Sequence, residues 1–425
     1  MKVLNIMLSR DLGGIQQAFL DYNAALEMQK IEVINVTSYK AKINSFLLSI
    51  RCHSREGGNP VKHINFCTKL KLFFLDSRFR GNDIDRNFKL LNLSPFDLIS
   101  ILILKYIIYK TKPDIIIAHG NRAINFSKFA KSQNIKLIGI AHNYGLKGLR
   151  KCDFVIALTH HMKEFLLKNN FAESRIFILP NMINITKEFI PNKIDFLHKS
   201  SYKEEFEGDT SPRTAAYIDI REDSSTGSTY KLPLEVTYAG SLIYRKPVII
   251  GVLARFVAKK GVDVFINAIK ILKEKKYNIQ AVIGGSGEEK DNLIALSNKL
   301  NLQDQISFTG WVNDRDKFFK QIDIFCLPSL HEPFGIIVLE AMEASVPIVS
   351  TDTEGPTEII TNMKDGLICK AGSMEDLAEK IAYLINNPLK AEEFSKNAYL
   401  TLKQNYDIKV VSKKLATLLL SYKNS

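Results

Sequence analysis

Two glutamates with seven residues between them, Glu332 and Glu340, frame the segment His331-Glu332-Pro333-Phe334-Gly335-Ile336, where a turn runs into an apolar helical stretch. A turn that opens a helix presents unpaired N–H groups and the positive end of the helix dipole at Phe334, Gly335 and Ile336. That arrangement suits a diphosphate. Ionised carboxylates only accept hydrogen bonds, so Glu332 fits the hydroxyls of a sugar and Glu340, further into the helix, fits both hydroxyls of a ribose. Two ordinary acids on a solvated helix are the alternative, and the Pro-Phe-Gly context argues against it. Arg255 and Lys260 lie in Gly251-Val252-Leu253-Ala254-Arg255-Phe256-Val257-Ala258-Lys259-Lys260-Gly261. A guanidinium can fork onto phosphate oxygens, and an ammonium can supply point charge where negative charge grows. Lys259 is adjacent and competes with Lys260 for that role. His142 follows an apolar run, at the end of a strand where open α/β sheets place ligands. A lone histidine is more often structural. His119 follows the preceding strand in a comparable place and is a further candidate. Gly13-Gly14 closes the first strand, where the missing Cβ lets backbone approach a ligand, or simply makes a tight turn.

The elements that must hold these residues alternate. A buried strand at 2–7 meets a turn and an amphipathic helix at about 15–30, and further strands are expected at 32–36, 114–118, 136–141, 153–158 and 175–179. A helix at about 95–112 precedes the third of these. The rhythm restarts after residue 245, with strands near 247–253, 278–283, 306–308, 323–327 and 347–350. Helices are expected near 262–276, 288–300 and 336–344. Strands alternating with helices imply parallel, doubly wound sheets, and so an α/β class with two Rossmann-like domains.

Composition narrows the class. With 425 residues, 46% hydrophobic and 24% charged, the chain can bury two cores. Five scattered cysteines without a C-x-x-C pair argue against a disulfide framework or a zinc site. The N-terminal apolar run is too short for a signal peptide, and no stretch is long enough to span a membrane, so a cytoplasmic location is expected. A net charge of +13 could serve nucleic acid, anionic lipid or a phosphorylated substrate. No interleaved basic and aromatic platform is visible, which counts against nucleic acid.

Two stretches break the rhythm. One, at about 51–85, stands where a connection should be short. The other, at about 198–244, is polar and falls between the two domains. Codons exist for Cys52-His53-Ser54-Arg55 whose reverse complement, in a shifted frame, encodes the Arg80-Gly81-Asn82-Asp83 end of the same stretch. The first stretch therefore reads as a translated inverted repeat, and both resemble the palindromic mobile elements that insert in frame in some bacterial genes. Ordinary family-specific loops are the alternative.

The Glu332 to Glu340 segment closely resembles the E-x7-E motif of retaining GT-B glycosyltransferases of the large family four (glycosyl transferases group 1). The resemblance extends over nearly the whole chain outside the two inserts. It implies a GT-B fold, in which two Rossmann-like domains face each other across a cleft. The expected layout is an acceptor-binding domain at 1–185, a linker at 186–245 and a donor-binding domain at 246–397. A C-terminal helix at 398–425 would cross back to the first domain. The resemblance makes Glu332, Arg255, Lys260 and His142 the residues at the chemistry, with His142 hydrogen-bonding the donor sugar. Gly13, Gly14, Phe334, Gly335, Ile336 and Glu340 would contact the donor, and the loop at Val312 its base. Gly284-Gly285-Ser286-Gly287 resembles a family turn lining the cleft, without a named role. Glu354 stands where the family usually has a small residue, and Ser345 where glycine is common; Glu354 is expected to narrow the space near the donor.

The activity so implied is transfer of a sugar from a nucleotide-sugar donor to a glycan or lipid-linked acceptor of the cell envelope, with retained configuration. No D-x-D pair of the metal-bridging type stands out in the loops expected to face the donor, so neither cofactor nor metal is expected. A basic helix near 99–112 suggests peripheral contact with an anionic membrane, or else a core-facing helix with solvated lysines. The rival readings are a GT-B sugar-nucleotide epimerase and an inactive remnant disrupted by the inserts. The intact Glu332, Glu340, Arg255 and His142 count against the latter.

Overall fold

A computed structural model of the chain describes residues 1–9, 14–41, 44, 87–92, 97–191, 217–220, 230–233, 235–236, 242–243 and 246–423. Gly13 and the whole stretch 51–85 lie outside the described residues, as does most of 198–244. The chain divides into two compact units, one of residues 1–185 with 404–425 and one of residues 186–403.

In the first unit, β1 (Lys2–Met7), β2 (Glu32–Ser38), β3 (Asn87–Leu90), β4 (Ile115–His119), β5 (Lys136–Ala141), β6 (Phe154–Ala157) and β7 (Ile176–Ile178) form one parallel sheet. Its order is β3-β2-β1-β4-β5-β6-β7. The central strands β1, β4 and β5 are short apolar runs buried on both faces, as a sheet covered by helices on each side requires. Chain order reverses between β1 and β4, where Met7 sits beside His119. That switch point is where a doubly wound sheet opens a crevice.

In the second unit, β8 (Tyr217–Ile220) pairs antiparallel with β9 (Tyr230–Pro233), and β10 (Glu235–Val236) with β11 (Leu242–Ile243). These two hairpins are the described part of the second insert. The main sheet is parallel and comprises β12 (Val248–Leu253), β13 (Ile279–Gly284), β14 (Ile306–Gly310), β15 (Ile324–Leu327), β16 (Ile348–Thr351) and β17 (Leu367–Cys369). Its order is β14-β13-β12-β15-β16-β17. The helix Val262–Glu274 buries Val262, Phe265, Ile266, Ile269 and Leu272, spaced three or four apart so that they share one face. Each such side chain contributes about 2 kcal/mol on burial, enough to fix the turn that precedes the helix against the sheet.

The C-terminal helical run differs from expectation. In place of one helix over 398–425 there are two, Pro388–Asn405 and Ile408–Lys423. The break is at Tyr406–Asp407, where the backbone gives its hydrogen bonds to another segment. Ile183 N–H donates to Tyr406 O at 2.9 Å, and Ile408 N–H donates to Ile183 O at 2.9 Å. The Asp407 carboxylate accepts from Lys409 N–H and so starts the second helix. Helix 408–423 lies along helix Gly14–Met28, with Gln29 Nε2 donating to Ser412 Oγ at 2.9 Å. Its Tyr422 stacks on Phe154 with ring centres 3.8 Å apart. No helix among the described residues is long and apolar enough to cross a membrane.

Candidate functional site

In the second unit the residues singled out from sequence gather at the C-terminal ends of the parallel strands. Arg255 follows β12, and three glycines hold it there. Gly285 (φ +144°) and Gly287 (φ +158°) pack so closely that a Cβ would lie 1.8 Å from Ala254 O and 2.3 Å from Phe256 O respectively. Gly284 O accepts from Ala254 N–H, and Ser286 O accepts from Phe256 N–H. The Gly284 to Gly287 turn, to which sequence gave no role, is thus the clamp on both sides of Arg255. Arg255 itself is exposed and makes no ion pair among the described residues.

Lys260 closes the 3-10 turn Ala258–Lys260, and Gly261 (φ +61°) makes the step into the next helix. A Cβ at Gly261 would sit 2.0 Å from Pro328 O, so only glycine lets this turn lie against the loop after β15. Leu330 N–H donates to Lys259 O at 2.9 Å across the same contact. Lys260 Nζ then reaches Glu332 Oε2 at 2.5 Å, with both side chains mostly buried. Lys259 is exposed. The geometry therefore selects Lys260 over its neighbour as the cation beside Glu332.

Gly335 (φ +92°) begins the helix Ile336–Glu343. Phe334 beneath it is buried, and Gly355 approaches so closely that a Cβ would lie 2.3 Å from Phe334 Cα. Gly355 N–H donates to Glu332 O at 2.9 Å. The loop after β16 is therefore laid directly on the Glu332 turn. Glu354 takes part in this contact. It accepts from His331 Nδ1 at 2.9 Å and from Glu332 N–H at 3.4 Å. Burial pushes its carboxyl up, but hydrogen bonds from backbone and His331 outweigh that and leave its pKa lowered. Glu354 thus braces the loop bearing Glu332. Ser345 occupies the left-handed region (φ +58°), which accounts for glycine being common there, and its hydroxyl accepts from Ile190 N–H at 3.3 Å.

Glu340 points at a partner that the sequence did not reveal. Its Oε1 is bonded to Arg315, while Oε2 is buried with no hydrogen-bond partner among the described residues. Burial raises the Glu340 pKa, Arg315 opposes by charge and hydrogen bond, and Glu343 and Asp316 push it up again. Arg315 begins the short helix Arg315–Lys320, which follows Trp311 and Val312 in the chain. Val312 abuts Gly284, where a Cβ would meet its Cγ2 at 2.7 Å. Trp311 is exposed and donates to Asn313 Oδ1. Asp314-Arg315-Asp316 does have D-x-D spacing, a feature passed over in the sequence. Its carboxylates are otherwise engaged, since Asp314 caps the helix at Lys317 N–H and Asp316 pairs with Lys187 at 2.6 Å.

The first unit presents a separate cluster. Gly14 is the first residue of helix Gly14–Met28. Asn5 on β1, His119 at the end of β4 and His142 just after β5 stand on three adjacent strands. His119 Nε2 is 3.0 Å from Asn5 Oδ1, and His119 Nδ1 is 3.0 Å from His142 Nε2. Phe19 and Tyr22 meet the His119 ring edge-on. Burial lowers the pKa of both histidines, that of His142 to about 4, and His142 lowers that of His119 further. Both rings are neutral near pH 7. Sequence pointed to the two histidines but not to Asn5, which reads as one polar residue in a strand.

Comparison with known proteins follows the same division. Residues 238–401 match the family model of glycosyl transferases group 1, and residues 75–187 match that of glycosyltransferase family 4. The lipopolysaccharide core biosynthesis glycosyltransferase LpsE of Rhizobium meliloti is 33% identical over 133 residues, which cover 31% of this chain and 38% of that protein. The 3-deoxy-D-manno-octulosonic acid transferase of Rickettsia felis is 67% identical over only 51 residues, 12% of this chain and 11% of that one. The chain thus spans less than half the length of these curated relatives. Among solved structures, Anabaena HepE in complex with UDP-glucose superposes with a TM-score of 0.70 at 16% identity, covering 99% of this chain and 100% of that one. The fold is GT-B, as the motifs implied.

Proposed function

We propose that the chain is a retaining, metal-independent glycosyltransferase that moves a sugar from a nucleotide-sugar donor to a glycan or lipid-linked acceptor of the bacterial cell envelope. The observation that carries this reading is the cation and carboxylate set of the second unit. Lys260 and Glu332 are in contact and, among the described residues, Arg255 has no ion pair and Glu340 keeps a buried oxygen without a partner. A diphosphate would draw Arg255 and Lys260 onto its oxygens, freeing Glu332 for sugar hydroxyls. A ribose hydroxyl would satisfy Glu340 Oε2. Two fixed cations provide the charge stabilisation that a metal would otherwise supply to the leaving nucleotide. In a retaining reaction without a protein nucleophile, the leaving phosphate takes the proton of the incoming hydroxyl on the same face, so positioning does most of the work. LpsE, by its name, acts in lipopolysaccharide core synthesis, which supports an envelope acceptor. UDP-glucose in HepE makes uridine sugars the first donors to try.

The test is thermal shift against UDP, GDP and ADP sugars, followed by incubation of the stabilising donor with and without envelope saccharides. Transfer that needs an acceptor and persists in excess chelator is expected. Change of the donor sugar with no acceptor present would make the protein an epimerase, and strict Mg²⁺ dependence would end the metal-independent reading.

A peripheral membrane role is part of the proposal. Helix Leu98–Thr111 exposes Leu102 (66%), Tyr106 and Tyr109 (72%) beside Lys105, Lys110 and Lys112. Its neighbour Asn121–Ala130 adds exposed Phe129 and Lys128. Apolar and basic side chains on one surface match an anionic bilayer. Sedimentation with anionic but not neutral vesicles, lost in Leu102→Glu with Tyr109→Glu, is the expected result.

The two inserts are proposed to be in-frame palindromic elements. The Cys52 to Arg55 and Arg80 to Asp83 ends, which can be encoded as reverse complements, support this for the first insert. Arms in the gene that cannot pair as a DNA hairpin would rule this out.

A further inference from the structure

We infer that Asn5 and His119 are positioning residues that lock His142 as a neutral hydrogen-bond acceptor, so that it receives a sugar hydroxyl and turns away a carboxylate or phosphate. The argument runs along one line of hydrogen bonds within the first unit. Asn5 Nδ2 donates to Phe19 O at 3.2 Å, which fixes the amide and aims Oδ1 at His119. An amide oxygen only accepts, so the proton at the 3.0 Å contact must sit on His119 Nε2. His119 is buried among Phe19 and Tyr22 and is neutral, so its Nδ1 carries a lone pair and no proton. The contact of 3.0 Å to His142 is then a hydrogen bond only if His142 Nε2 bears the hydrogen. His142 is neutral too, which leaves Nδ1 as a bare acceptor with no partner among the described residues.

Each link depends on the one before, and all of them originate at a backbone carbonyl, a group that cannot change its role. His142 is half-buried and lines a small pocket with Gly120, Asn121 and Asn143 at the ends of the strands. A neutral ring offering a lone pair there bonds a hydroxyl hydrogen and repels an anionic oxygen. On the proposed function above, the sugar group meeting His142 is accordingly a hydroxyl, as in a neutral hexose, and not the carboxylate of a uronic acid.

The test is the tautomer, which is read without any turnover. In the full chain labelled with ¹⁵N-histidine, two-bond ¹⁵N–¹H correlation spectra distinguish protonated from bare ring nitrogens. His119→Gln and His142→Gln assign two of the eight histidines. His142 is expected to show bare Nδ1 and protonated Nε2 at neutral pH. Asn5→Asp keeps the shape but puts a carboxylate on His119, which becomes an imidazolium and donates from Nδ1. His142 Nε2 must then accept, so its proton moves to Nδ1 and the two ¹⁵N signals exchange places. In that variant the donor KM is expected to rise about tenfold with a smaller change in kcat, because a donor now faces the hydroxyl's hydrogen. Protonated Nδ1 in the unsubstituted protein overturns the lock, and so does Asn5→Asp with an unchanged His142 tautomer. The expected tautomers in a protein that no sugar nucleotide stabilises would uphold the lock and end the donor reading.

Discussion

Replacing Arg315 with glutamine tests how the second unit keeps Glu340 usable. Arg315 is bonded to Glu340 Oε1, and the Glu340 side chain is only 13% exposed, with Asp316 and Glu343 nearby. Two opposite charges in contact gain on the order of 4 kcal/mol at an effective dielectric of about 20. Arg315 is 38% exposed, so solvent screens part of that gain. Losing Arg315 removes the charge and the hydrogen bond that oppose burial, so the Glu340 pKa rises further. A larger fraction of its carboxyl would then be protonated at any given pH, and a neutral acid is the weaker acceptor for a ribose hydroxyl. UDP affinity measured by calorimetry should fall about tenfold. The sign of the pH dependence follows from the charge. The competent form is ionised, so binding by Arg315→Gln should strengthen as pH rises, and more steeply than binding by the parent protein. Tighter UDP binding in Arg315→Gln would refute the reasoning, since it would mean that the guanidinium competes with the ribose rather than preparing Glu340 for it.

Lys260→Ala and Glu332→Gln should each lower kcat/KM on the order of 100-fold, because each removes a group aimed at charge or hydroxyls in the transition state; steady-state assays with the identified donor read this. Gly261→Ala should cost at least about 2 kcal/mol in urea denaturation, combining left-handed strain with the collision against Pro328 O, and should lower donor affinity by displacing Lys260. Acid should weaken the first unit, because His142 titrates near 4 when folded and near 6.5 when unfolded. The unfolded chain binds the extra proton, so this contribution is whole above about pH 6.5 and is lost at about 1.4 kcal/mol per unit as pH falls towards 4. His142→Gln should flatten that slope, and equal stability at about pH 7.5 and about pH 5 in the parent would contradict it.

The elements were readable because their signals are local. Ile- and Val-rich runs such as 115–118 and 248–253 lie between helices with apolar faces, and a period of two or of three to four needs no distant partner. The residues proposed to hold the donor could be singled out for a similar reason, since Glu332, Phe334, Gly335 and Glu340 fall in nine consecutive positions. What escaped depends on pairing across the chain. Arg315 is 25 residues from Glu340 and lies in a short polar helix, where an arginine looks like any solvated cation. Glu354 could be flagged as unusual, but its bonds to His331 and to the Glu332 N–H appear only when the loop after β16 folds onto the Glu332 turn. Asn5 is one polar side chain in an otherwise buried strand until His119 comes beside it. The helix break at Asp407 likewise required the isolated bridge to Ile183.

The break at Asp407 bears on how the chain matures. Helix 408–423 completes the first unit, yet it leaves the ribosome only after all of residues 186–403 have been made. Until then helix 14–28 lacks the neighbour that covers it, and Phe154 lacks Tyr422. The second unit, built from one uninterrupted stretch, can close first, while the earlier-made half waits with apolar surface open to chaperones or to proteolysis. A nonsense mutation that removes only the last two dozen residues should therefore damage the part of the protein encoded first.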